Sequence, residues 1–203
     1  MEWIRYLKFD HEAHNRVLVD YVAAVENATV RLAALTKDIV TLVETWSLRP
    51  LQKALQVLRG VQLLTAVILV AEIGDFARFA NAPKLMAYLG LVPSEHSSGE
   101  MTRRGRITRC GDRSVRTALV ESAWNNRFRP KVSRELKKRH DGVATNVCAM
   151  AWKAQKRLHA RYARLTGRGK NGKKTITAMA RELAGFVWAI ARDPELLTPA
   201  PSP

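Results

Sequence analysis

The sequence predicts an all-α protein, with a long N-terminal coiled-coil helix followed by a compact helical domain that contains a helix-hairpin-helix-like segment. Residues 10–47 contain neither glycine nor proline, and apolar side chains recur at helical spacing through much of the chain. No segment alternates apolar and polar residues convincingly, as a half-buried strand would. With 203 residues, of which 47% are hydrophobic, the chain is long enough to bury a core.

The first predicted element is one long helix over residues 10–47. Apolar or small residues recur along it at intervals that alternate between three and four, which is a heptad seam: Leu18, Tyr21, Val25, Ala28, Leu32, Leu35, Ile39, Leu42 and Trp46. Such a regular, narrow seam favours a coiled coil with another helix and thereby a homo-oligomer. The alternative is an amphipathic helix packed on its own domain. We assign residues 1–49 to this coiled-coil or dimerisation helix.

Residues 50–192 are predicted to form the helical domain, which begins with two apolar helices. Pro50 suits the first turn of a helix that runs to residue 58, and a second helix spans residues 63–73 before Gly74 ends it. This pattern is similar to a helix-hairpin-helix, whose turn offers backbone N–H groups to a phosphate. The usual Gly-x-Gly turn is here Gly60-Val61-Gln62, so a buried helical hairpin is the alternative.

The remaining elements follow from caps and breakers. A short helix over residues 83–88 ends near Gly90, and residues 93–105 read as a loop. Asp112 or Ser114 can cap a helix that extends to about residue 128. Its predicted inner side carries Val115, Leu119, Ser122, Ala123 and Asn126. Further helices are expected over residues 132–139, 143–165 and 174–192, with a glycine- and lysine-containing loop at 167–173 and a disordered tail at 193–203.

The excess of positive charge is concentrated in one part of the chain. Residues 1–96 contain 10 basic and 10 acidic side chains, whereas residues 97–181 contain 23 basic and 5 acidic ones. A neutral half joined to a strongly basic half indicates a dedicated surface for a polyanion, in the first place nucleic acid. An anionic membrane surface and an ordinary solvated basic face are the alternatives.

The basic part begins with two adjacent hydroxyls. Ser97 and Ser98 precede Gly99, and a block of arginines follows, so an alcohol nucleophile and phosphate-binding guanidinium groups lie close in sequence. An ordinary serine-rich turn is the alternative. The residues that we expect to contact nucleic acid are Gly99, Arg103, Arg104, Arg106, Arg109, Arg113, Arg116, Lys137, Lys138 and Arg139.

Several other classes of protein find little support. Cys110 and Cys148 lack the spacing of a zinc site, and the histidines and carboxylates form no convergent ligand set, so we expect no metal site in this chain. The longest apolar stretch is too short to span a bilayer, and the N-terminus does not resemble a signal peptide. We therefore expect a cytoplasmic, nucleoid-associated protein with no membrane partner.

The segments AEIGDF, LGLVPSEHSSG and GRITRCGDRSVR, together with the later KKTITAMARELAGFVWAIAR, resemble the C-terminal domain of the IS110-type insertion-sequence transposases. This family includes the Piv DNA invertases. The resemblance covers about residues 58–192. It implies a DNA recombinase in which a serine of this domain is the nucleophile, with Ser98 the first choice here and Ser97 the alternate.

The resemblance also implies parts that lie outside this sequence. In the family, an N-terminal RuvC-like domain supplies four acidic ligands for Mg²⁺, and some members use a structured guide RNA. This chain begins at what would be the coiled coil, so we expect it to be truncated and inactive alone in DNA transposition and recombination. A non-catalytic nucleic-acid-binding or oligomerisation module is the second hypothesis, and a membrane-surface protein is the third.

Overall fold

The computed structural model describes residues 2–95 and 104–193, and within them it confirms a mostly α-helical protein. The described helices are α1 (Glu2–Arg5), α2 (Glu12–Glu44), α3 (Arg49–Leu55), α4 (Leu63–Ile73), α5 (Ala82–Tyr88), α6 (Arg113–Trp124), α7 (Arg134–His140), α8 (Thr145–Gly167) and α9 (Gly172–Ala191). Two short 3-10 helices span Phe76–Arg78 and Asn125–Arg127. The chain divides into two compact units, Met1–Ser47 and Leu48–Pro203.

The first unit is dominated by the single helix α2. Its 33 residues contain no helix breaker, so it extends for about 50 Å. Arg5 of α1 forms a salt bridge with Glu26 of α2. Val43 is the buried residue of α2, whereas seam residues such as Tyr21, Leu32 and Leu42 are exposed. The predicted single helix is confirmed, and its pairing in a coiled coil stays a prediction.

The second unit is organised around α9, which packs against α3, α5, α6 and α8. Apolar residues at three- and four-residue intervals bury one side of α9: Ile176, Met179, Ala180, Leu183, Ala184, Val187 and Ile190. Trp188 of the same helix donates its indole N–H to the Phe79 carbonyl at 3.0 Å. Helix α9 therefore provides the rigid surface on which the other elements of this unit are placed.

The inner side predicted for α6 is confirmed. Val115, Leu119, Ser122, Ala123 and Asn126 are all buried. Asp112, one of the two predicted caps, accepts a hydrogen bond from the Val115 N–H at 2.8 Å.

The interpretation of residues 93–105 as a loop was wrong at both ends of that segment. Strand β1 (Pro93–Glu95) pairs antiparallel with strand β2 (Arg104–Ile107), with Pro93 opposite Ile107 and Glu95 opposite Arg104. The ladder continues past the strands, because the Thr108 N–H donates to the Val92 carbonyl at 2.9 Å. Strands of three and four residues are too short to show the alternation by which a sequence reveals a strand.

The turn between α3 and α4 packs against the rest of the unit. A Cβ added to Gly60 would run into the backbone carbonyl of Ser122, and Arg139 donates to the Val61 carbonyl at 2.7 Å. Because α6 lies directly against Gly60, these contacts favour the buried-hairpin alternative. A phosphate-binding helix-hairpin-helix stays a prediction.

Candidate nucleic-acid interface

Strands β1 and β2, which pair with each other, stand directly before and after residues 96–103 in the sequence. The predicted site residues Ser97, Ser98, Gly99 and Arg103 lie outside the described residues. The residues that flank this segment, Glu95 and Arg104, are cross-strand partners. The described residues directly before and after the predicted serine segment are therefore neighbours in the hairpin.

The turn that follows the hairpin packs against the residues that precede the hairpin, and both stretches of backbone are tightly fixed. Gly90 has a φ of +65° and Gly111 a φ of +72°. A Cβ added to either would run into backbone atoms, those of Cys110 at the first position and of Tyr88 at the second. Arg116 donates from the same nitrogen, Nη1, to the carbonyls of Cys110 at 2.5 Å, Gly111 at 2.8 Å and Asp112 at 3.0 Å. The base of the hairpin is thus held in one backbone geometry.

Arg109 adopts an unusual conformation within this turn. It has a φ of +60°, the left-handed region that non-glycine residues avoid at a cost of about 1–2 kcal/mol. Its N–H donates to the Gly90 carbonyl at 3.1 Å. The side chain is exposed and lines the open groove beside the hairpin. The backbone strain is therefore maintained at a residue that lines that groove.

The groove has a volume of about 950 Å³ and lies between the hairpin and the helices α8 and α9. The hairpin side contributes Pro93, Gly105, Arg106, Ile107 and Arg109. The opposite wall consists of Arg161 and Leu165 of α8, Lys170 of the connecting loop, and residues of α9. Because Pro93 and Gly105 line it, the groove lies beside the two strands that flank the predicted serine segment in the sequence.

The groove lining is strongly cationic. Among the described residues that line it, none is acidic and seven carry positive charge: Arg106, Arg109, Arg161, Lys170, Lys173, Lys174 and Arg181. Within the described ranges, Arg161 is the member of this set with a salt bridge, to Glu182 at 3.2 Å. A concave surface with this charge concentrates anions and suits phosphate groups.

Two side chains shape the far wall. Glu182 is only 12% exposed and also forms a salt bridge with Arg157, so it holds two arginines of α8 against α9. Asn171 caps α9 by accepting hydrogen bonds from the N–H groups of Lys173 at 3.0 Å and Lys174 at 3.4 Å. This cap fixes where the helix begins and places both lysine side chains beside the groove.

The structure separates the predicted arginines and lysines into different environments. Arg106 and Arg109 lie in the groove, and Arg113 is exposed at the start of α6. Lys137 is exposed on α7, and Lys138 forms a salt bridge with Glu135 at 3.1 Å.

Two predicted contacts, Arg116 and Arg139, have their guanidinium groups bonded to backbone carbonyls. Burial lowers the pKa of the Arg139 side chain, with an opposing effect of Glu135. Both arginines stabilise turns of the fold, and their interaction with nucleic acid stays a prediction.

Sequence reasoning missed the far wall of the groove. The glycine- and lysine-containing segment at 167–173 was predicted as a loop without a binding role, whereas α9 already begins at Gly172, and Lys170 and Lys173 line the groove together with Lys174 and Arg181. The spacing Asn171-x-Lys173-Lys174 was an available signal, because an N-capping asparagine followed by two lysines places positive charge at a helix start, where the macrodipole disfavours it. Such a placement often serves an anionic ligand.

Two further observations concern metals and membranes. Among the residues described, no group of three or more His, Cys, Asp or Glu side chains could hold a metal ion. The described residues therefore do not fit Mg²⁺. None of the described helices is both long and apolar enough to cross a membrane.

The geometry defines a helical protein with a cationic groove at the base of a hairpin. Residues 52–140 match the sequence profile described as the Transposase IS116/IS110/IS902 family. The protein is 45% identical over 193 residues to the protein named "Putative transposase y4qE" of Sinorhizobium fredii. The match covers 95% of this chain and 46% of y4qE. Residues 52–140 are therefore similar to a domain of the IS116/IS110/IS902 transposase family, in agreement with the resemblance found in the sequence.

Other relatives give the same result. The protein is 27% identical over 170 residues to the transposase for insertion sequence element IS1533 of Leptospira borgpetersenii, covering 83% of this chain and 49% of the relative. It is 28% identical over 144 residues to the 43.6 kDa protein of insertion element IS110 of Streptomyces coelicolor, covering 71% of this chain and 29% of the relative. The chain spans about half the length of the first two curated relatives.

Proposed function

We propose that this chain is the DNA-binding, serine-bearing part of an insertion-sequence transposase, and that the groove binds the DNA backbone beside the serine. The observation that carries the proposal is the position of the groove. Of the described residues that line this concavity beside the hairpin, seven are cationic and none is acidic. The relatives named as transposases support DNA as the polyanion.

The proposed chemistry assigns the nucleophile to Ser98, with Ser97 as the alternate. The serine Oγ attacks a DNA phosphorus, so that an Oγ–P bond forms while the P–O bond to one deoxyribose oxygen breaks. The serine proton leaves, and the released deoxyribose oxygen takes up a proton as a hydroxyl. Arg106 and Arg109 would stabilise the phosphate charge during this exchange, because guanidinium groups donate in a geometry that matches phosphate oxygens.

The complete reaction would need parts beyond those described. We expect a second, acidic half with a RuvC-like fold and Mg²⁺, and no strand exchange by this chain alone. Homo-oligomers would form through the apolar seam of α2, whose Leu32 and Leu35 are 61% and 51% exposed. Because some members of the family that the sequence resembles use a structured guide RNA, such an RNA is a candidate partner. A cytoplasmic, nucleoid-associated location would follow from DNA binding.

The test joins this chain to the part of y4qE that lies outside the matched region and measures strand exchange in cells. We expect Ser98→Ala to abolish joined products while duplex binding is retained. The matched control is Ser114→Ala, which removes an exposed hydroxyl from α6 outside the hairpin. If Ser97→Ala abolishes the joined products and Ser98→Ala does not, the nucleophile is Ser97.

The same experiment tests a second candidate function, that of a non-catalytic nucleic-acid-binding module. If the active fusion keeps full strand exchange in both Ser97→Ala and Ser98→Ala, the serine chemistry is refuted. Duplex binding without any role for the serines would favour a non-catalytic nucleic-acid-binding module. That alternative is supported by the groove itself, since the binding of phosphates there needs no hydroxyl nucleophile.

A further inference from the structure

A second surface of the Leu48–Pro203 unit combines exposed aromatic rings with positive charge. It is formed by the segment after α6 and by one side of α8, and we name it the aromatic face: Arg127, Phe128, Lys131, Trp152, Lys156 and His159. Phe128 is 53% exposed and Trp152 is 38% exposed. These rings lie outside the core, so burial within this unit does not explain them.

The two parts of the aromatic face are joined by direct contacts. The Lys131 N–H donates to Oε1 of Gln155 at 3.2 Å, and Nδ1 of His159 lies 3.2 Å from the Arg127 carbonyl. Residues 152, 156 and 159 share one side of a helix with 3.6 residues per turn, so the Trp152 ring lies on the same side as His159. The segment carrying Phe128 is therefore placed beside this side of α8.

The backbone that carries Phe128 is held firmly. Arg59 donates through Nη1 to the carbonyls of Phe128 at 3.3 Å and Arg129 at 2.8 Å. Asn126 is buried and donates in turn to the Arg59 carbonyl at 3.3 Å. Phe128 is thus an exposed ring on an ordered backbone, which reduces the conformational cost of binding a ligand.

Cations accompany both rings. The Arg127 guanidinium carbon lies 4.6 Å from the Phe128 ring centroid, and Nζ of Lys156 lies 5.8 Å from the Trp152 centroid. Within the described ranges, Arg127, Lys131 and Lys156 form no salt bridge. Each aromatic ring therefore has a positive charge beside it that is available to a phosphate.

We propose that the aromatic face binds an unpaired nucleic-acid strand, with bases stacked on Phe128 and Trp152 and phosphates held by the neighbouring cations. Rings with interspersed cations are the arrangement by which proteins bind single strands without sequence preference. A duplex presents no free base faces to these rings, because its bases are already stacked on one another. This inference goes beyond the proposed function and does not depend on the groove.

The aromatic face and the groove are separate sites. At 3.6 residues per turn, Arg161 and Leu165 lie on the side of α8 opposite to Trp152 and Lys156. The width of a helix, about 10 Å, therefore separates the two surfaces. One phosphate cannot contact both, so single-strand and duplex binding can be altered independently.

The test measures the affinity of the full chain for four probes: oligothymidylate, oligouridylate, an abasic strand of the same length, and a DNA duplex. We expect Phe128→Leu and Trp152→Leu each to weaken binding of the two base-bearing strands by about fivefold or more. Affinity for the abasic strand and the duplex should not change. Trp152→Phe, which keeps a ring, should retain most of the affinity.

The matched control is Tyr88→Leu, since Tyr88 is 40% exposed and also has an arginine, Arg78, 4.6 Å from its ring centroid. It should bind all four probes as the unaltered protein does. Photo-crosslinking of a 5-iodouracil strand to the unaltered protein gives a second readout, with adducts expected at Phe128 or Trp152.

The proposal would be overturned if both leucine variants bound the base-bearing strands as tightly as the unaltered protein does. It would also be overturned if the variants lost as much affinity for the abasic strand as for the base-bearing strands. Competition by polyglutamate as effective as that by oligothymidylate would also overturn it, because it would indicate a surface for an acidic protein. A preference between the thymidylate and uridylate strands distinguishes DNA from RNA as the source, and either result supports the proposal. Loss of duplex binding alone would concern the groove and leave this inference standing.

Discussion

The most informative perturbation of the groove is the double substitution Lys173→Ala and Lys174→Ala. Both side chains are exposed and line the groove, and the hydrogen bonds from their N–H groups to Asn171 come from the backbone. Alanine also has the highest helix propensity. The substitutions therefore remove two charges while the structure of α9 is retained.

The expected loss follows from counterion release. Each phosphate contact changes the logarithm of the binding constant by about 0.9 per decade of salt concentration. At about 0.1 M salt, one contact is then worth about 1.2 kcal/mol and two about 2.4 kcal/mol. Duplex affinity should fall by about 60-fold, and the magnitude of the salt slope should decrease by about 2.

The assay is a titration of labelled duplex at several salt concentrations, with unfolding followed by circular dichroism. Lys84→Ala is the matched control, because Lys84 is an exposed lysine of α5 outside the groove lining. Its removal should change duplex affinity less than about threefold. An unchanged salt slope in the folded double variant, or an equal loss with Lys84→Ala, would refute the assignment of the groove to phosphate binding.

Three further predictions concern the hairpin base and one histidine. Arg109→Gly should change the free energy of unfolding by less than about 1 kcal/mol, because relief of the left-handed strain offsets the flexibility of glycine. The same substitution should weaken duplex binding about eightfold, because one phosphate contact is lost. A large loss of stability would contradict this reasoning. Gly111→Ala should lower the melting temperature by several degrees more than Gly142→Ala. Both glycines have a positive φ, but only at Gly111 would the added Cβ run into backbone, that of Tyr88. Equal shifts in melting temperature would show that the close approach of Gly111 to Tyr88 is unimportant. Burial, reinforced by Arg139, lowers the pKa of His140 below its ordinary value of 6.5, so stability should fall as the pH drops below about 6.5. Urea unfolding of His140→Gln should show a weaker pH dependence than His14→Gln, and identical profiles would contradict the assignment.

The helices were largely predictable because their signals are local. The seam of α2, the cap at Asp112 and the inner side of α6 each depend on residues within a few turns of one another. The limits of α4 were predicted in full, since Gly74 ends the helix with a φ of +65°.

The hairpin and the groove were less predictable because they arise from tertiary packing. Lys170 and Arg106 are separated by many residues in the chain, and only the packing of α8 and α9 beside the hairpin brings both into one groove. Arg116 was predicted to lie in the phosphate-binding surface, and its side chain instead supports the fold. Its sequence position within an arginine block indicated phosphate binding, whereas in the fold its guanidinium is bonded to carbonyls of the turn that precedes α6.

The central claim is that DNA phosphates lie in the groove beside the two strands that flank the predicted serine segment. Photo-crosslinking from azidophenacyl groups on phosphorothioates of a duplex, followed by peptide mass spectrometry, tests it most directly. We expect adducts on both groove walls, at residues 105–109 and 170–181, and few on α5. Adducts concentrated on α5, with none on either wall of the groove, would contradict the claim.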